Sequence, residues 1–157
     1  MPDVSVEIVG LDQLTKRFKN SGDAIARYFT RAINKGTIMI QAEARKASPI
    51  DQGDLRKSIA VAPVDGLVGR VFVAAPGDAY AFWVHEGRKP GSFPPVKPIE
   101  EWAQRHGMPG AGFQIARKIA QKGIAPQPFF TQAVDAVNPS LPAIWKEAAD
   151  AVIAELA

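Results

Sequence analysis

His85 and Glu86 stand side by side in this 157-residue chain, and that pair is half of a zinc-hydrolase signature. The full signature needs a second histidine one helical turn on, so that two imidazoles face one metal while the glutamate works on the bound water. Lys89 stands at that place, and the only other histidine is His106. The pair therefore reads as ordinary polar residues, and no metal is expected. Gly107-Met108-Pro109-Gly110-Ala111-Gly112 has the glycines of a phosphate cradle but not the Gly-Lys-Ser/Thr end that grips one. It follows a helical pattern, reads as a loop, and implies no nucleotide. Ser58 lacks the surroundings of a nucleophile. Cysteine is absent, which excludes disulfides and thiolate sites.

Asp51 and Asp54 are closer to chemistry. They lie in "SPIDQGDLRKSI", Ser48 to Ile59. Two nearby carboxylates can share acid–base work, but no further polar partners stand out, and each aspartate has a local task. Pro49 disfavours helix at Ser48 and ends the helix before it. Asp51 can close a turn ahead of Gly53, and Asp54 can cap a helical turn from Leu55 to Ile59. Leu55 and Ile59 are then buried together at i,i+4, with Arg56 and Lys57 outward. Pro49, Asp51, Gly53, Asp54, Leu55 and Ile59 are expected to form a structural joint.

Basic residues pair at Arg45-Lys46, Arg56-Lys57, Arg88-Lys89 and Arg117-Lys118. Spread over several elements, they could contact phosphates non-specifically. Scattered solubilising charge is the simpler reading, since no recognition helix or aromatic platform accompanies them. The net charge is only +3, and beyond Lys122 the one base, Lys146, faces Asp135, Glu147, Asp150 and Glu155. With 46% hydrophobic and 22% charged residues, the composition is that of a globular chain long enough to bury a core. The N-terminus lacks a basic, apolar leader, and no run approaches the roughly 20 apolar residues of a membrane span. A soluble protein folding in a cytoplasm is expected.

These residues must be held by elements. Val4, Val6 and Ile8 alternate in a strand from Asp3 to Val9, and Leu11, Leu14 and Phe18 then follow a helical spacing. Ser21 or Asp23 can cap a long helix whose stripe is Ile25, Phe29, Ala32, Gly36 and Ile40, widened by Tyr28, Ile33 and Met39. Arg27, Arg31 and Lys35 read as a solvated face of it. After the joint, Ile59–Val64 and Leu67–Ala75 form a hairpin about Asp65-Gly66, with Pro63 marking an edge or a bulge. Asp78 starts a short helix with Tyr80, Trp83 and Val84. "RKPGSFPPVKP", Arg88 to Pro98, is expected to be irregular, and helices follow from Ile99, Phe113, Phe129 and Leu141, the last with Ile144, Ala148, Val152 and Leu156 on one stripe. The expected fold class is α+β: a small, mostly antiparallel sheet packed on a long helix, with additional C-terminal helices. The chain reads as one domain, 1–157, with residues 1–87 as the strand, long helix and hairpin core and 88–157 as loop and C-terminal helices.

In their order, several stretches resemble the tail-completion, or head–tail joining (neck), proteins of long-tailed bacteriophages, often described as minor tail proteins. They are "IVGLDQL"; "SPIDQGDLRKSI", where Gln52 replaces the family's usual threonine; "YAFWVHEGRKP"; "PPVKPIEEWAQRHG"; "FQIARKIAQKGI"; and "PQPFFTQAV". The resemblance covers most of the chain. It implies a structural virion protein without catalysis or cofactor, made in the host bacterial cytoplasm. It also implies residence in the neck or tail, contacts with the head–tail connector and with tail terminator or tail-tube proteins, and self-association into a ring. DNA passing through such a neck could meet the basic clusters. A nucleic-acid-binding module and an unrecognised hydrolase or nuclease are the alternatives. Candidate partner contacts are Arg88, Lys89, Phe93, Pro94 and Pro95. Phe93 has no local element to bury it, so the segment is expected to be mobile when free and to order against a neighbour, or else Phe93 folds back onto Trp83 or Trp102.

Overall fold

A computed structural model describes the backbone of residues 4–7 and 22–156 and the side chains of 22–155. The first strand is present as β1 (Val4–Glu7). The helix expected over Leu11–Phe18 and the cap at Ser21 lie outside the described residues. The long helix, α1 (Gly22–Ala47), buries Ile25, Phe29, Ala32, Ile33, Gly36 and Ile40 along the expected stripe. A short helix, α2 (Asp54–Ser58), leads into β2 (Ile59–Val61) and β3 (Val68–Val73). Then come α3 (Asp78–Glu86), α4 (Val96–Arg105), α5 (Gly112–Lys122), α6 (Phe129–Val137) and α7 (Leu141–Leu156), with a turn of 3-10 helix, Asn138–Ser140, before the last. This is the expected α+β class.

The sheet is antiparallel in the order β1-β3-β2, so β2 is an edge. Ile59 pairs with Val73 and Val61 with Val71, whereas Asp65 bridges Val68. The first arm thus holds one more residue than the second between Val61 and the turn, a bulge at the place Pro63 marks. Asp65 and Val68 exchange both backbone hydrogen bonds, which makes Gly66 and Leu67 the central pair of the turn. Gly66 has φ 58° and Leu67 no positive φ. That matches a type II′ turn, whose first central position favours glycine. The turn is thus shifted one residue from Asp65-Gly66.

The chain forms two compact units, Met1–Phe82 with Pro128–Ala157, and Trp83–Gln127. In the first, Ile25, Phe29 and Ala32 of α1 cluster with Ile144, Ala148 and Val152 of α7. Each large apolar side chain so buried contributes about 1.5–3 kcal/mol. Phe129 and Phe130 of α6 are both fully buried with ring centroids 4.7 Å apart. Arg27 and Lys35 are not simply solvated: they pair with Glu155 and Glu147 of α7, and Arg31 lies 5.9 Å from the Tyr28 ring centre. The acidic C-terminal stretch thereby faces bases of α1. The Glu155 carboxylate also accepts a hydrogen bond from the Tyr28 phenol, raising its pKa.

In the second unit α4 and α5 pack through Ala103 and Ala116, both fully buried. The helix α4 begins at Val96, so the last three residues of the stretch expected to be irregular are helical. Pro98 sits in the first turn, where a missing N–H and a fixed φ cost little. Glu100 binds the glycine loop: its carboxylate accepts the N–H groups of Gly110 and Gly112 at 2.6 and 2.7 Å. Those bonds hold the Glu100 pKa below its ordinary 4.5. Backbone donors of the kind that would face a phosphate here face a carboxylate of the chain itself.

Candidate functional site: the joint and an aromatic strap

The joint begins where α1 runs out of partners for its last carbonyls. Ser48, buried, donates its N–H to the Ala44 carbonyl and its hydroxyl to the Arg45 carbonyl, each at 2.9 Å. The Arg56 guanidinium turns back to the carbonyls of Lys46 and Ser48, at 3.4 and 3.3 Å. Arg56 therefore does not point outward as expected. A cation at a helix C-terminus is favourable, and this one also satisfies free carbonyls. Lys57 is exposed.

Pro49 follows the helix end, and Asp51 and Gln52 are exposed. Gly53, not Asp54, takes the N-cap position of α2, with φ 84°. Its carbonyl accepts the Lys57 N–H at 3.0 Å. Asp54 lies inside the first turn, where its charge still suits the helix dipole. Leu55 and Ile59 are buried at 3% and 0% exposure, as the i,i+4 spacing requires. The Ile59 carbonyl accepts from Gln41 Nε2 at 2.9 Å and from Arg45 Nε and Nη2 at 3.1 and 2.7 Å. The long helix thus grips the start of the edge strand with two side chains one turn apart.

Ser58 closes the other side. Its carbonyl accepts the Ala74 N–H at 2.8 Å, and its hydroxyl accepts the Gly77 N–H at 3.2 Å. A Cβ on Gly77 would come within 2.9 Å of the Ser58 side chain. Tyr80 completes the joint: the Leu55 N–H meets its phenol, while burial first, then the Asp54 and Asp51 charges, push its pKa up. Gln41, Arg45, Ser58, Gly77 and Tyr80 were not legible as joint residues. A Gln-Arg pair at i,i+4 on a helix is too common to flag, and the others depend on contacts across the hairpin.

These bonds bear on the basic clusters. Arg45 and Arg56 are committed to carbonyls of the joint. Arg88 donates to the Ser92 carbonyl and hydroxyl at 2.7 and 2.9 Å. Among the described residues no group of three His, Cys, Asp or Glu is arranged to hold a metal. His85 meets its neighbour Glu86 through Nδ1 at 2.9 Å. No helix among them is long and apolar enough to cross a membrane.

The second unit carries a strap. Arg88 and Ile124 exchange backbone hydrogen bonds, Gly91 donates its N–H to the Ala120 carbonyl at 2.9 Å, and Phe93 meets Phe113 with centroids 5.6 Å apart. Residues 88–93 therefore run back along α5. Phe93 packs on Phe113, not on Trp83 or Trp102. Trp102 instead stacks on His106. Gly123 is essential to the strap: it has φ 75°, and a Cβ there would overlap the Arg88 carbonyl oxygen. The pair nevertheless stays open, Phe93 at 48% and Phe113 at 59% exposure. Of the candidate partner contacts, Lys89, Phe93 and Pro95 are exposed, Arg88 is half-buried, and Pro94 is buried.

Residues 12–87 match the model of a family described as "Bacteriophage HK97-gp10, putative tail-component". The match takes in α1, the joint, the hairpin and α3, and stops where the strap begins. The resemblance read from the motifs is borne out over that span. No curated protein and no solved structure matches the chain.

Proposed function

We propose that this protein is a structural tail component of a long-tailed phage virion that completes the tail and joins it to the head. The observation that carries the reading is the family match over residues 12–87, which spans the whole joint. The joint's chemistry supports a scaffold: Arg45, Arg56 and Ser58 make bonds within the chain, and its buried leucine and isoleucine hold α2 and β2 to the core. In this reading Pro49, Asp51, Gly53, Asp54, Leu55 and Ile59 end the long helix and launch the hairpin, and they carry out no reaction.

The proposed partners are the head–tail connector on one side and the tail terminator or tail tube on the other. Copies of the chain assemble as a ring, matching the symmetry of what they join. The protein folds in the host cytoplasm and ends in the virion neck. Lys89, Phe93 and Pro95 lie on the contacting surface. Particles made without the protein test the reading by electron microscopy. Filled heads lying apart from finished tails are the expected result, and intact joined virions would refute it.

A further inference from the structure

The second unit carries a surface whose parts all lie within residues 83–127. Backbone bonds tie Arg88 to Ile124 and Gly91 to Ala120, and Phe93 meets Phe113, so the strap lies along the side of α5 that carries Phe113 and Ala120. Arg117 stands between those two on the same side of the helix and is exposed. Lys89, also exposed, sits on the strap between its two backbone ties. The result is an open phenylalanine pair with cations alongside. The charge around it is uncompensated. The unit has seven Lys and Arg against three Asp and Glu, and Glu100 is spent on the glycine loop. Lys89, Lys97, Arg117, Lys118 and Lys122 form no ion pair among the described residues. In the first unit, by contrast, Arg27, Lys35, Lys46 and Lys146 all pair with carboxylates.

We infer that this surface receives an acidic segment of another virion protein. An apolar side chain of that segment covers the Phe93/Phe113 pair, and its carboxylates meet Arg117 and Lys89. The inference deepens the joining function proposed above and rests on it for its setting. Aromatic residues are the anchors that carry most of an interface's energy when covered, and charges beside them select the partner and the register. A guanidinium is suited to the second task, since it can meet a carboxylate through two parallel N–H bonds. The strap gives the surface a fixed shape: its backbone is tied to Ile124 and Ala120, so little order remains to be lost on docking. Two other occupants fit less well. A second copy is itself net basic, at +3, and its Glu43, Glu147, Asp150 and Glu155 are already paired with its own bases. Nucleic acid would meet the cations through phosphates, which leaves the phenylalanines uncovered. Their rings are tilted at 41° and offer no parallel slot for a base.

Phe113→p-benzoylphenylalanine places a photo-cross-linker in the aromatic pair without adding charge. Particles assembled with this full-length variant are irradiated, and the attached peptide is identified by mass spectrometry. The expected product is an acidic segment of another virion protein. Attachment to a second copy of this chain, to DNA or to a segment without acidic residues would overturn the inference, as would joined particles with no attachment at all. Charge reversal tests the rim, at exposed sites that form no ion pair. Arg117→Glu with Lys89→Glu should lower the cross-link yield about tenfold or more, and changing the acidic residues of the captured segment to lysine should restore it. Lys118→Glu with Lys122→Glu makes the same change of charge away from the strap and should leave the yield as it was. A yield that ignores the first pair, or falls equally with the second, would overturn the assigned contacts. Joined virions made without the protein would instead remove the joining function, whatever the cross-link reads.

Discussion

A Cβ built at Gly69 would lie 2.4 Å from Thr37 Cγ2 and 2.6 Å from Ile33 Cγ2. Both methyls belong to fully buried side chains of α1, so the sheet rests on the helix through this glycine. Gly69→Ala is expected to destabilise by about 1–3 kcal/mol through overpacking. Gly22→Ala, with nothing within 4 Å, is expected to stay within about 0.5 kcal/mol of wild type in denaturant melts. At the joint two substitutions separate two causes. Leu55→Asp places a charge at a 3% exposed site and should cost about 2–4 kcal/mol. Gly53→Ala meets only Lys57 Cε at 3.7 Å, so its cost is conformational and nearer about 1–2 kcal/mol. Glu100 has a depressed pKa, so its hold on Gly110 and Gly112 is complete above the ordinary carboxylate value and is lost as pH falls through the lower, folded value. Protection of the Gly110 and Gly112 amides, relative to their intrinsic exchange rates, should therefore be kept at the ordinary carboxylate value and lost only as pH falls further below it. Glu100→Gln should show fast exchange at neutral pH too, and exchange that ignores both changes would contradict the carboxylate clamp.

At the scale of elements, α1 is joined to β2 by one acceptor, the Ile59 carbonyl, and two donors, Gln41 and Arg45. Arg45→Met with Gln41→Leu leaves that carbonyl without them. A loss of about 1–3 kcal/mol is expected, with Ala74 amide exchange rising in step as the edge strand loosens. Elements whose evidence is local were legible in advance. The period of Ile25, Phe29, Ala32 and Ile40 marked α1, the Ile144, Ala148, Val152 stripe marked α7, and Pro63 marked both the edge and the bulge. Pro98 misled because a proline inside a first turn looks the same in sequence as one that forbids helix. The pairing of Arg27 and Lys35 was not legible because their partners lie 128 and 112 residues away. Nothing in "RKPGSFPPVKP" shows that Phe93 meets a side chain of α5, for the same reason.

Across the whole chain, charge and match divide in an instructive way. The family match ends at residue 87, and the basic second unit with its aromatic strap begins within a few residues of that end. The joint is thus shared with the family model, while the strap lies outside it. The motifs that carried the resemblance from sequence are turn-forming and helix-ending residues, which is why they spoke first for a scaffold. The exposed strap was the less legible part, because exposure and contact between distant residues are properties of the folded chain. The role proposed for this protein is to join finished tails to filled heads. It is tested most directly by purifying heads and tails from cells lacking the protein, mixing them with and without the added chain, and counting infectious particles. Infectivity should appear only in the mixture that contains it, scaling with its concentration and failing with Leu55→Asp. Heads and tails that join equally well without it, or that stay apart when it is supplied folded and in excess, would contradict the account.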